Sequence, residues 1–182
     1  IGNIMRFAFN NIDVVRGVNF QPVSLVGRIT NAEREKLRIT IPDVILKMEE
    51  QTNGEIARSD FYPVPTITPL SHFVEALTGK PEYEFGNHFA CGMATYVFKD
   101  KDKLVPITRF VDIEGLLEYL EKKAEEVKTG KNRYLVAAKV LFKLGKFVDK
   151  SKQPEGLSLP KILYDAFLKH DYDSLGEFHH KS

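Results

Sequence analysis

The fold class is decided near the start of the chain by the stretch from Ile4 to Pro22, which reads IMRFAFNNIDVVRGVNFQP. Its first residues are largely apolar and end at two asparagines, a pattern typical of a helix stop. The valine-rich run from Val14 to Phe20 is closed by Gln21-Pro22 and predicts one buried strand. A helix, a turn and a strand in succession predict the α/β class.

Composition excludes several classes of protein. The 182 residues are 43% hydrophobic and 28% charged, which is ordinary for a globular chain and unlike collagen or a disordered chain. A net charge of +1 gives no indication of a nucleic-acid partner. Because the chain has one cysteine and no visible signal peptide, we expect a cytoplasmic protein. The chain begins with Ile1 instead of Met, so we expect a fragment of a longer protein.

Local signals predict the remaining elements. Thr40 and Pro42 begin a helix that ends at Asn53-Gly54, and Thr68-Pro69 begin a short helix that ends at Gly79. The proline-rich stretch between them predicts an extended segment. Further along, we expect a β-hairpin and then three helices. The hairpin strands are Met93 to Phe98 and Leu104 to Phe110, and the helices run from Asp112 to Val127, from Tyr134 to Val148 with most sides buried, and from Leu157 to Leu168.

Charge is distributed unevenly along the helical part. Asp112 to Val127 carries six carboxylates against two lysines, whereas Lys128 to Lys152 carries eight basic residues against Asp149. Four of the basic residues recur at helical spacing and share one face of a predicted helix, namely Lys139, Lys143, Lys146 and Lys150. This face is either a solvated surface or a site for anionic headgroups, which implies peripheral membrane contact.

Two further groups of residues are candidates for a site. Asn19, Gln21, Ser24 and Arg28 follow the predicted strand. In α/β barrels the carboxyl ends of strands face the active site. The alternative is that Gln21-Pro22 only ends the strand and that Arg28 pairs with a nearby acid. Cys91 follows His88 by three residues, a spacing compatible with a shared metal. A zinc site needs about four ligands, and a buried structural cysteine is the alternative.

Seven segments in this order resemble one known family. They are Asn19 to Arg28, Ile41 to Val44, Glu50 to Gly54, Asp60 to Pro65, His88 to Gly92, Ala94 to Phe98 and Pro106 to Asp112. Together they resemble the C-terminal part of the archaeal radical S-adenosylmethionine proteins that include tetraether lipid synthases and pterin-methylase-like proteins. Common local signatures, such as a Walker loop or CxxC, are absent from the sequence.

The resemblance implies a fold and cofactors. Residues 1–56 would be the last units of a partial β/α radical S-adenosylmethionine barrel. Residues 57–111 would form a proline-rich loop, a short helix and the cysteine-containing hairpin, and residues 112–182 a helical region. The cluster-binding CxxxCxxC would lie upstream, in a missing N-terminal half. S-adenosylmethionine and a 4Fe-4S cluster are the implied cofactors, with Asn19, Gln21, Ser24 and Arg28 near the former.

The resemblance also implies an activity. In tetraether lipid synthesis, a radical would abstract hydrogen so that two isoprenoid chains are joined by a carbon–carbon bond. One alternative is radical methylation of a pterin or another small molecule. The other is a non-catalytic module that binds an anionic partner. A wide apolar groove would favour the lipid, and a compact polar pocket the pterin. Cys91 resembles a ligand of an auxiliary 4Fe-4S cluster, but Thr66 stands where the family often carries a cysteine.

Overall fold

The computed structural model describes residues 1–22, 25–80, 88, 90–158 and 161. The chain divides into two compact units, Ile1–Ser59 and Asp60–Ser182. Each unit is described below by itself. The division of the chain into three regions at residues 56 and 111 stays a prediction.

The described part of the first unit contains three α-helices: α1 (Gly2–Asn10), α2 (Asn31–Leu37) and α3 (Ile41–Gln51). Helices α1 and α3 pack together through Met5, Ala8, Val44 and Met48, which are all buried. Gly2 lies so close to α3 that its backbone N–H donates to Gln51 Oε1 over 2.6 Å, and a Cβ atom there would lie 2.9 Å from the Gln51 Cβ. Position 2 therefore requires a glycine, because a side chain there would collide with Gln51 of α3.

Capping side chains fix both ends of α3. Thr40 accepts from the backbone N–H of Asp43, whose carboxylate accepts from the Thr40 backbone N–H, a reciprocal capping box. At the other end the buried hydroxyl of Thr52 donates to the Met48 carbonyl oxygen over 2.8 Å and accepts from the Ile56 N–H over 3.2 Å. The predicted helix is confirmed, because its start and stop are local hydrogen-bond signals.

The strand predicted from Val14 to Phe20 is wrong. This segment has no regular structure beyond a turn, and Val14 is 75% exposed. A strand needs a hydrogen-bonded neighbour, and residues 1–22 and 25–59 contain none. The helix α2 in the same unit is an element that the sequence analysis did not predict. The assignment of residues 1–56 to barrel units stays a prediction.

The second unit combines helices with two small antiparallel sheets. The helices are α4 (Thr68–Thr78), α5 (Ile113–Lys128) and α6 (Arg133–Lys143); β1 (Tyr62–Pro63) pairs with β2 (Met93–Ala94), and β3 (Val97–Asp100) pairs with β4 (Lys103–Pro106). The predicted hairpin is confirmed in β3 and β4, with Lys101 at a positive φ of 57° in its turn. The mixed helix-and-strand class predicted from the sequence is confirmed.

The core of the second unit lies where α4, α5 and α6 meet. It consists of six buried side chains, Phe73, Leu120, Ala124, Val136, Val140 and Leu144. Leu120 and Ala124 come from the predicted apolar stripe of α5, which is confirmed. Helix α4 ends, as predicted, at Gly79, which has a left-handed φ of 72°.

The helix predicted from Tyr134 to Val148 is shorter and more exposed than expected. Helix α6 ends at Lys143 and passes into a 3-10 turn, Leu144–Phe147. Leu135 is 63% exposed and Phe142 is 88% exposed. The prediction of burial on most sides is wrong because α4 and α5 contact only one side of α6.

Two other segments complete the comparison with the sequence. The proline-rich stretch is not continuously extended, since 3-10 turns at Arg58–Asp60 and Val64–Ile67 flank β1. The helix predicted from Leu157 to Leu168 lies mostly outside the described residues. In the part of the chain that is described, no helix has the length and apolar character needed to cross a membrane.

Candidate functional site

The predicted polar cluster near the start of the chain is not brought together. Asn19, Gln21 and Arg28 are exposed and lie in segments without regular structure, and Ser24 lies outside the described residues. Among described residues these three side chains make no hydrogen bond or ion pair with each other. Their role toward S-adenosylmethionine therefore stays a prediction.

The four lysines predicted to share a face are all exposed. Lys139 and Lys143 lie on α6, Lys146 lies in the following 3-10 turn, and Lys150 lies beyond it. The ammonium of Lys143 lies 5.7 Å from the ring centroid of Tyr119, a cation–π contact. This exposure is compatible with a solvated surface and with a headgroup site.

Cys91 is exposed and free, so the expectation of a buried structural cysteine is wrong. It lies in a tight turn, in which its backbone N–H donates to the His88 carbonyl oxygen over 2.8 Å. The His88 Nδ1 atom accepts from the Ala90 N–H over 3.2 Å, so this nitrogen is engaged locally. The thiol is open to a partner because a loop, and no core element, carries it.

Four of the segments that resemble the radical S-adenosylmethionine family meet in the second unit. Strand β1 of the Asp60 segment pairs with β2, and the Val64 N–H donates to the Gly92 carbonyl oxygen over 3.0 Å. The Ile107 N–H donates to the Tyr96 carbonyl oxygen over 2.8 Å. Segments that are distant in sequence thus form one continuous backbone network beside Cys91.

A buried carboxylate organises the side chains of this network. Asp60 is 2% exposed, and its Oδ1 accepts from the Thr108 hydroxyl over 2.5 Å. Its Oδ2 accepts from Arg109 Nη2 over 2.8 Å, an ion pair in which the arginine side chain is 43% exposed. Because Asp60 fixes one nitrogen of the guanidinium, the other N–H groups of Arg109 are held in a defined orientation. We call Asp60, Thr108 and Arg109 the Asp60 cluster.

The backbone beside the Asp60 cluster is held from a second side. The Asp112 N–H donates to the Phe147 carbonyl oxygen over 2.8 Å, and the Asp149 N–H donates to the Phe110 carbonyl oxygen over 2.7 Å. The Phe110 ring packs edge-on against Phe98 of the hairpin at a centroid distance of 5.6 Å. Arg109 is therefore carried by a rigid segment.

Tyr62 lies close to three acidic residues, Glu114, Asp112 and Asp60. Burial raises the pKa of its phenol, and the nearby charges of Glu114, Asp112 and Asp60 raise it further. The phenol is consequently a neutral hydrogen-bond donor at neutral pH. Together with Arg109 it can donate to oxygen or nitrogen acceptors, and the exposed carboxylate of Glu114 can accept.

The described residues do not fit an iron-sulfur cluster. No group of three or more His, Cys, Asp or Glu side chains within residues 1–22, 25–80, 88, 90–158 and 161 has an arrangement that could hold a metal ion. Thr66 lies two residues beyond Val64, and Val64 bonds to the residue after Cys91. Thr66 belongs to the 3-10 turn Val64–Ile67, and its hydroxyl cannot replace a thiolate ligand.

No local pattern in the sequence predicts the Asp60 cluster. Asp60 and Arg109 are 49 residues apart, and no spacing rule connects them. The available signals were weak: one acid before a proline-rich stretch, and a Thr-Arg pair inside an otherwise apolar run.

Comparison with known proteins gives one relative. No family model matches the chain. The chain is 46% identical over 184 residues to the 7,8-dihydro-6-hydroxymethylpterin dimethyltransferase of Methanocaldococcus jannaschii. The similarity covers 99% of this chain and 36% of that protein. The chain is therefore similar, along nearly its whole length, to about a third of a pterin dimethyltransferase.

Proposed function

We propose that this chain is the C-terminal part of a radical S-adenosylmethionine enzyme that methylates a pterin. The observation that carries the proposal is the 46% identity, along 99% of the chain, to a protein named as a pterin dimethyltransferase. The family resemblance of the seven segments supports the radical class. Two of these segments, Asp60 to Pro65 and Pro106 to Asp112, form the Asp60 cluster, which supports a role for this part of the chain.

The Asp60 cluster, together with Glu114, offers complementary groups for a pterin. A pterin ring presents a carbonyl and ring nitrogens as acceptors, and an amino group and ring N–H as donors. Arg109 can donate to the acceptors, and the carboxylate of Glu114 can accept from the donors. In this proposal Arg109 and Glu114 bind the substrate, and Asp60 is a positioning residue that orients Arg109.

The cofactors belong to other parts of the proposed enzyme. The described residues do not form a cluster site, so no step of the radical chemistry is assigned to them. Cys91 stays a proposed auxiliary ligand that would need thiolates from elsewhere. Iron analysis after anaerobic reconstitution tests it, and equal iron content in the wild type and Cys91→Ala would eliminate this role.

The test of function uses the complete polypeptide that carries this chain, purified and reconstituted without oxygen. It is incubated with a reductant, methyl-labelled S-adenosylmethionine and 7,8-dihydro-6-hydroxymethylpterin. We expect label in the pterin by mass spectrometry. Arg109→Lys keeps the charge but loses the planar fork, so we expect KM for the pterin to rise roughly tenfold with kcat less affected.

Arg58→Lys is the matched control, because Arg58 also forms an ion pair, with Glu49 at 3.5 Å, but lies in the first unit. We expect its KM to equal that of the wild type. The proposal fails if no label enters the pterin while S-adenosylmethionine is cleaved. It also fails at the level of the site if both arginine variants change KM equally.

A lipid substrate is the second candidate, and the family resemblance of the seven segments is what favours it. The apolar crevice in the second unit, lined by core residues that include Phe73, Leu120 and Val140, has a volume of about 40 Å³. It is a gap in the core and is too small to hold an isoprenoid chain. Adding an archaeal diether lipid to the same assay separates the two candidates. A product with a new carbon–carbon bond between isoprenoid chains, without labelled pterin, would identify the lipid reaction.

A further inference from the structure

Helix α6 carries an apolar stripe that the described residues of its unit leave uncovered. The stripe consists of Tyr134, Leu135, Ala138 and Phe142, all exposed, with Phe142 at 88%. These positions lie on one side of the helix, opposite the side that buries Val136 and Val140. Scattered exposed apolar residues are normal, but a contiguous aromatic and aliphatic stripe marks an interaction surface.

Cations without ion-pair partners border this stripe. Lys139, Lys143 and Lys146 are exposed, and none has a carboxylate within ion-pair distance among the described residues. We call the stripe and these three lysines the α6 outer face. The ammonium of Lys143 contacts the Tyr119 ring, and no described residue places a carboxylate beside any of these three charges.

The acidic helix α5 does not supply the missing counter-charge. Glu118 pairs with Lys122 at 2.6 Å, Glu121 pairs with His72 at 3.0 Å, and Glu126 pairs with Lys123 and with Lys131. Glu125 likewise pairs with Lys128, so four of the five glutamates of α5 are engaged with local partners and only Glu114, in its first turn, forms no ion pair among the described residues. The contrast indicates that the lysines of the α6 outer face serve an external anionic surface.

We propose that the α6 outer face binds the surface of an anionic lipid bilayer. Phe142 and Leu135 would enter the boundary between headgroups and acyl chains, and the lysines would contact the phosphates. The centre of a protein–protein interface is depleted in lysine, whereas a membrane-surface helix combines Phe and Leu with lysines. The mixture on α6 therefore fits a bilayer better than a protein partner. This inference is independent of the substrate proposed above.

A fluorescent probe tests where Phe142 goes. The chain has no tryptophan, so Phe142→Trp introduces a single reporter. We expect its emission to shift to shorter wavelength with vesicles of phosphatidylglycerol and phosphatidylcholine, and not with phosphatidylcholine alone. Tyr96→Trp is the matched control, because Tyr96 is 64% exposed but lies beside the hairpin, and we expect no shift.

Sedimentation with the same vesicles measures affinity for the full chain. Replacing Lys139, Lys143 and Lys146 by Gln should lower partitioning on the order of a hundredfold, roughly fivefold for each lysine. Phe142→Ser should lower it roughly tenfold. The charge-matched control replaces Lys36, Lys47 and Lys103, which are exposed in other elements, by Gln and should retain partitioning. Circular dichroism verifies that each variant is folded.

Three outcomes would overturn the inference. The first is equal partitioning onto neutral and anionic vesicles at low salt. The second is an equal loss in the two triple variants, which would indicate only general charge attraction. The third is a dimer in light scattering without vesicles that Phe142→Ser abolishes, because the face would then bind a second copy of the chain.

Discussion

A single buried carboxylate, Asp60, connects the two segments that form the candidate site. Removing an ion from water is costly, and Asp60 offsets this cost by accepting from the Thr108 hydroxyl and from Arg109. The arginine remains partly in water, so the pair is neither a surface ion pair nor a fully desolvated one. Its contribution to the free energy of unfolding should therefore lie between that of a surface ion pair and that of a fully buried one.

Asp60→Asn should lower the free energy of unfolding by about 2 kcal/mol, because the charge-assisted bond to Arg109 is lost at a buried position. Urea unfolding followed by circular dichroism measures the change. Glu49→Gln, which removes an acid from an exposed ion pair with Arg58, is the control and should have little effect. An unchanged midpoint for Asp60→Asn would show that the pair does not stabilise the fold.

Tyr62 should ionise at a higher pH than an ordinary tyrosine, since burial raises its pKa and Glu114 adds to the effect. The neutral phenol is favoured in the folded state, so its contribution to stability is fully present below the unfolded pKa and is lost as pH rises through the higher, folded pKa. The difference between the ultraviolet titration curves of the wild type and Tyr62→Phe isolates the ionisation of Tyr62. Glu114→Gln should lower the pKa only in part, because burial is the larger cause. A midpoint equal to that of free tyrosine would contradict the assigned surroundings.

At the scale of elements, the same capping box occurs in two helices with different surroundings. Thr30 and Glu33 cap α2 as Thr40 and Asp43 cap α3. Helix α3 buries Val44 and Met48, whereas α2 buries no residue. A cap stabilises the fold only to the extent that its helix is coupled to a core.

Thr40→Ala should therefore lower the free energy of unfolding by about 1 kcal/mol, whereas Thr30→Ala should leave the global transition unchanged. Thermal or urea unfolding of both variants measures the difference. Equal effects would show that α2 is coupled to the core as strongly as α3. Thr40→Ala should also raise the pKa of Asp43, whose lowering is caused chiefly by the Thr40 hydroxyl.

At the scale of the whole molecule, paired carboxylates set the response to acid. Hydrogen bonds lower the pKa of five of them, Glu33, Asp43, Glu118, Glu126 and Asp149. A lowered pKa stabilises the fold above the unfolded value, and this stability is lost as pH falls through the folded value. We expect stability to fall as pH drops through about 4 and to be nearly flat around neutrality.

Salt should separate two kinds of carboxylate in an NMR titration. The pKa of Glu126 is lowered first by Lys123 and then by Lys131, so high salt should return it toward its ordinary value. The pKa of Asp43 is lowered by the neutral Thr40 hydroxyl and should change less. Equal shifts at both sites would contradict this difference in cause.

The sequence by itself determined the elements whose signals are local. The caps at Thr40 and Asp112, the left-handed Gly79 and the apolar stripe of α5 are read from neighbouring residues, because their hydrogen bonds and periodicity span only a few positions. The valine-rich run near the start carries equal local preference for a strand. It stays irregular, since a strand also requires a partner that local sequence does not supply.

Only the tertiary structure decided which face of α6 is buried and which residues form the candidate site. Both sides of α6 carry apolar residues in the sequence. Packing against α4 and α5 buries the side that carries Val136 and Val140. The pair of Asp60 with Arg109 joins residues 49 positions apart. Contacts of this range depend on how the elements pack, whereas caps and turns depend on bonds within a few residues.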